Sequence, residues 1–124
     1  MPQKIKIETK GLTLEAELSD APAARAVAAA LPLSARMSRW GDEYYGSVDL
    51  DIPDDGSGRE LMSVGELAWW PPGKALCVFF GRTPASTDER PRAASAVLPL
   101  GRVTAGLDGL SSLGAAVRVT FRNA

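Results

Sequence analysis

Histidine is absent from this chain of 124 residues, and cysteine occurs once. Without histidine, the commonest metal ligand and the usual partner of a catalytic serine or cysteine are both missing. Without a second cysteine, no intrachain disulfide can form. Cys77 stands between Leu76 and Val78 in an apolar run, which predicts a buried thiol rather than an exposed nucleophile. The expectation is therefore a protein with neither metal nor cofactor. Charge of one sign is also missing: 14 Lys plus Arg balance 15 Asp plus Glu, which argues against nucleic acid or an anionic membrane as partner. No apolar run approaches the length of a bilayer span. The opening MPQKIKIETK alternates charge with isoleucine instead of offering a signal core, which predicts a cytoplasmic protein.

What is present reads as one soluble domain over residues 1–124, with 45% hydrophobic and 23% charged residues and enough chain for one ordinary core. Ile5 and Ile7 alternate with charges, and after Lys10-Gly11 the alternation resumes at Leu12, Leu14, Ala16 and Leu18; this predicts a half-buried hairpin. The period then lengthens. Ser19 or Asp20 is expected to cap a helix carrying Ala24, Val27, Ala28 and Leu31 on one face, with Pro32 ending it. Ser34 to Trp40 reads as extended, Gly41-Asp42 as a turn, and EYYGSVDLDI as the return strand of a second hairpin with Val48, Leu50 and Ile52 inward.

PDDGSGRE, residues 53–60, has the turn formers and charges of a flexible surface loop or a lid. LAWW then leads through Pro71-Pro72-Gly73 into ALCVFF, an unalternating strand expected to be buried on both faces. Two prolines fix φ and Gly73 is free to take a positive φ, so this connection should be stiff. Because strand neighbours face opposite ways, Trp69 and Trp70 cannot share one core. A second polar loop, RTPASTDERPRAA, follows Gly81. Strands return from Ser95 to Thr104, with Pro99 at an edge or bulge, and from Val117 to Phe121, with a short helical turn at 107–113 between them. The sum is mainly β: a small closed barrel with one substantial α-helix and a short helical turn.

SRWGDEYYGSV at 38–48, GELAWWPPGKALCVFFGRTPAS at 65–86 and ASAVLPLGRVTAGL at 94–107 together resemble a prokaryotic cyclophilin-like family of unassigned function. The resemblance runs from about Ile5 to Phe121 and implies an atypical, minimised cyclophilin barrel; it implies a fold and not a reaction. The catalytic cyclophilins carry an arginine followed by Phe-x-x-Gln-Gly-Gly, and a histidine at the groove rim. Arg36 and Arg39 stand in rough order, but neither matches that motif, and a weak prolyl isomerase is the least favoured reading.

The side chains left for chemistry are carboxylates, arginines, hydroxyls and indoles. Glu43, between the Trp40-Gly41 turn and Tyr44-Tyr45, is the candidate general base if aromatic walls raise its pKa; its plainer role is to bond a turn or pair with Arg39. Arg82 beside Gly81 is either an anion clamp or a solvated rim residue. Trp40, Trp69 and Trp70 are candidates to line a groove for a flat or proline-like ligand. The paired Asp49/Asp51 and Asp54/Asp55 lack calcium-loop spacing and read as solvated. The leading expectation is a binding domain, leaning away from enzyme, that takes a small organic ligand or peptide between the barrel and the 82–93 loop. Trp40, Glu43, Tyr45, Phe80 and Arg82 are its expected lining. The alternatives are an enzyme with Glu43 as base and an arginine clamp, and a structural module or homodimer that buries a tryptophan.

Overall fold

The computed structural model describes residues 2–124. Chain order runs β1 (Gln3–Thr9), β2 (Leu12–Leu18), α1 (Pro22–Ala30), β3 (Leu33–Arg39), β4 (Glu43–Ser47), β5 (Arg59–Leu61), β6 (Glu66–Trp70), β7 (Ala75–Phe79), β8 (Arg92–Ala105) and β9 (Ala116–Asn123). The strands pair antiparallel in the order β2-β1-β9-β3-β4-β7-β6-β8, and β2 pairs back onto β8. That last ladder closes an eight-stranded barrel and leaves no open edge between its first and last strands. β5 adds to the free side of β8.

The first hairpin forms as its alternation predicts, with Ile5 and Ile7 opposite Ala16 and Leu14. Its two-residue turn puts both Lys10 and Gly11 at positive φ, 43° and 78°, the geometry that suits the right-handed twist of the flanking strands. The helix begins later than its polar residues suggest. Ala21 is the N-cap with no side-chain cap bond, Pro22 opens the first turn, and the Ser19 hydroxyl accepts instead from the Ala21 N–H at 3.2 Å. Proline at the first helical position needs no N–H and brings its φ ready-made. Ala23, Ala24 and Val27 are buried against β2 and β8, where small side chains allow a close approach.

The second hairpin is shorter than its pattern. β4 stops at Ser47, and Val48 to Ile52 continue outside any ladder, although Val48 is buried and Leu50 and Ile52 pack against the core. Alternating burial over the barrel end was enough to make the period of two without a partner strand. The 53–60 loop is likewise more committed than its composition implies: Asp54 and Asp55 each accept a backbone N–H two residues on, and Arg59 enters β5 and grips Glu66.

β7 is buried at all five positions, as its unbroken apolar run predicts. Pro71–Gly73 forms a single 3-10 turn, but the left-handed residue is Lys74, φ 46°. Gly73 is needed for space: a Cβ there would stand 2.7 Å from the Trp70 ring. Pro99 sits opposite Ala68 where the β6–β8 register shifts, the irregular position its missing donor requires. No helix among the described residues is long and apolar enough to cross a membrane.

Candidate functional site

The sheet of β4, β7 and β6 has two apolar faces. Inside the barrel, Tyr44, Trp69, Leu76 and Val78 join the main core with Leu14, Met37, Val119 and Phe121. On the outer face, Cys77, Phe79 and Ala68 form a second cluster with Met62, Ala93 and Val97, and Tyr45 and Trp70 lean on its margin. The outer cluster exists because β8 is long. Its first half, tied to β5, carries Ala93 and Val97 onto the back of the sheet.

Between these layers lies a cavity of about 210 Å³ lined by Trp40, Glu43, Tyr45, Trp70, Ala93, Ala94 and Val97. Each wall has a local cause. Trp40 is held by the turn that joins β3 to β4: its N–H donates to the Glu43 carbonyl at 2.8 Å, and the Asp42 N–H donates to the Arg82 carbonyl at 2.8 Å. Gly41 closes that turn at φ 62°, and a Cβ there would sit 2.9 Å from the Arg82 carbonyl and from Thr83 Cα. Tyr45 and Trp70 meet edge to face with ring centres 6.3 Å apart. The Trp70 indole N–H donates to Ser95 Oγ at 2.7 Å, which fixes the ring against β8.

Among the described residues, Glu43 is the one charged residue whose side chain is buried, 5% exposed. Burial pushes its carboxyl from 4.5 up to about 7, and a hydrogen bond with the Cys77 thiol pulls weakly the other way. Burial, together with this carboxylate, pushes the Cys77 thiol well above its ordinary value, which favours its protonated form, and its sulfur donates to the Ala75 carbonyl at 3.8 Å. Arg39 does not pair with Glu43. Its guanidinium binds Asp42 Oδ1 at 2.8 Å and the carbonyls of Gly41, Ser111 and Leu113. The pairing with Arg39 expected of Glu43 is therefore made by Asp42 instead, and no cation among the described residues sits within ion-pair reach of Glu43.

Of the five residues expected to line a groove, the structure brings Trp40, Glu43 and Tyr45 together on this cavity. Phe80 is elsewhere. It stacks on Tyr44 with centres 5.6 Å apart, under the Arg39 guanidinium at 5.1 Å, on the main-core side. An apolar run without alternation carries no register, and Phe79 is the one that faces outward. Arg82 is exposed and is not a wall of the cavity. The loop itself contributes less than expected, since the far wall is Ala93 and Ala94 of β8. Trp70, Ala93, Ala94 and Val97 complete the lining. Alternation had narrowed the outward tryptophan to one of two, whereas alanines at a strand start carry no signal. Two arrangements are open to this chemistry: a carboxyl that exchanges a proton near neutrality, or a carboxylate that receives a donor from a bound molecule.

Comparison with known proteins agrees with the fold. The solution structure of a hypothetical protein from Archaeoglobus fulgidus superposes with a TM-score of 0.83 at 35% sequence identity, covering 99% of this chain and 95% of that one. No curated protein matches the chain. The family described as Cyclophilin-like matches residues 3–122, which are nearly all of the barrel, and the chain belongs to that family.

Proposed function

We propose that this domain binds a small organic ligand in the cavity between the outer sheet face and the start of β8. The observation that carries the reading is Glu43: a buried carboxyl, without a cation partner, on the wall of an open cavity otherwise built of aromatic and small apolar side chains. Such a group costs stability unless something offsets it, and a bound molecule offering a hydrogen bond would do so. The cavity's size suits a single ring better than an extended peptide.

A second reading, proton transfer by Glu43, draws support from its pKa of about 7, close to the ideal for a general acid or base. The anion clamp that the enzymatic reading needs has no candidate on the wall, because Arg82 is exposed and outside the lining and Arg39 is spent on Asp42 and on carbonyls. Binding is therefore the leading reading.

The three tryptophans supply the test and its control. In a nitrogen-labelled sample, single-ring compounds should shift the indole N–H signals of Trp40 and Trp70 saturably and leave Trp69, 1% exposed in the main core, unmoved. Uniform broadening with protein concentration and no ligand response would instead favour a homodimer. Exchange between the cis and trans signals of an added prolyl peptide would revive the isomerase.

A further inference from the structure

We propose that the cavity is a site for an organic ammonium ion, a protonated amine carried on one ring or an apolar body of similar size. This rests on the reading of the cavity as a ligand site. Three of its walls are the rings of Trp40, Tyr45 and Trp70, and the remainder, apart from Glu43, is Ala93, Ala94 and Val97. Aromatic faces carry negative charge density and attract cations, most strongly where water is excluded. The carboxylate on the same wall lacks a counter-ion, and an N–H⁺ group would supply both the charge and the hydrogen bond.

An anion fits the same walls poorly. No lysine or arginine lines the cavity, the indole N–H of Trp70 is already given to Ser95 Oγ at 2.7 Å, and the Glu43 carboxylate on the wall would repel an anion, against which the Trp40 indole N–H and the Tyr45 hydroxyl offer only neutral donors. The size narrows the class further, since about 210 Å³ holds on the order of seven water-sized groups, enough for a ring with a short arm.

Binding should be coupled to a proton. The titratable groups facing Glu43 are the Cys77 thiol from β7, which stays neutral, and Tyr45 on β4; Trp40, Trp70 and the β8 wall carry no charge. Below about pH 7 the Glu43 carboxyl is protonated, and an ammonium ion entering must expel that proton, so affinity falls as pH falls.

The test titrates benzylamine, benzyl alcohol and benzoate into the wild-type protein and Glu43→Gln, followed by the Trp40 and Trp70 indole signals and by calorimetry. The expected result is benzylamine bound at least about tenfold more tightly than benzyl alcohol, weakening about tenfold between pH 8 and pH 6. Glu43→Gln should abolish both effects. If benzyl alcohol or benzoate binds as tightly as benzylamine, or if the amine preference survives in Glu43→Gln, the ammonium assignment is overturned and the cavity remains a ligand site of another kind. If none of the three moves Trp40 or Trp70, the ligand site falls and the ammonium assignment with it.

Discussion

The inner and outer faces of the β4, β7 and β6 sheet are made from the same residue types displaced by one position. Tyr44 and Trp69 point into the barrel and are 2% and 1% exposed; Tyr45 and Trp70 point out and are half-buried. The inner pair is enclosed, and the Tyr44 hydroxyl finds the Gly114 carbonyl at 2.6 Å. The outer pair touches edge to face and leaves a space beside a carboxyl. Barrel closure explains the difference. Eight strands surround the inner face from every direction, whereas the outer face is covered only by what β8 and β5 bring back over it. A closed sheet thus makes one face for stability and leaves the other available for a site.

Truncating one tryptophan from each face is the largest test of this contrast. Trp69→Ala should cost about 3–5 kcal/mol, the usual loss for a large aromatic removed from a tight core. Trp70→Ala, at the cavity edge, should cost about 1–2 kcal/mol and should abolish binding in the cavity. Urea unfolding followed by circular dichroism measures both. Equal losses would mean that the outer layer is core in its own right and that the cavity is a packing defect.

The legibility of this chain divides along the same line. The hairpin of Ile5 to Leu18, the helix face of Ala24 and Val27, and the doubly buried β7 were readable because local period and turn chemistry determine them. A closed barrel was expected and is what forms, but that β2 and β8 are the strands that close it was not readable, since pairing over such a separation leaves no local mark. Glu43 could be singled out as a carboxyl among aromatics, but its isolation could not, because that depends on Arg39 turning to Asp42 and to the 111–113 carbonyls. The face of Phe80, which stacks on Tyr44 and is not among the cavity walls, could not be read for a simple reason. A run buried on both sides has no alternation from which to count.

The next effect separates the faces by pH. Only the outer one holds a titrating carboxyl in a buried place, and its pKa rises from 4.5 to about 7 on folding. The native state then holds more protons than the unfolded state between these values, so stability from this group is greatest below pH 4.5, falls as pH rises, and levels off above about 7. The loss should reach up to about 3 kcal/mol. Asp88 acts in a different window, since its pairing with Arg90 lowers it to about 2 and its contribution is lost only as pH falls below the usual carboxylate range. Glu43→Gln should therefore flatten the stability profile between pH 5 and pH 7 and be the more stable protein at pH 8. Parallel profiles for the two proteins would show that Glu43 ionises as freely in the fold as in the open chain.

The smallest test compares the two tyrosines. Tyr44→Phe keeps the ring on Phe80 and the guanidinium of Arg39 above it, but it leaves the Gly114 carbonyl without its donor and should cost about 1 kcal/mol. Tyr45→Phe keeps the edge contact with Trp70 and changes only a group at the open margin, so stability should move by less than about 0.5 kcal/mol. The value of the pair lies in a further readout. If Tyr45 is part of the ligand wall through its ring, Tyr45→Phe should keep most of the affinity for benzylamine and Tyr45→Ala should lose it; if Tyr45→Phe loses as much as Tyr45→Ala, the hydroxyl is the contact, and the outer face recognises its ligand by hydrogen bonding rather than by aromatic surface.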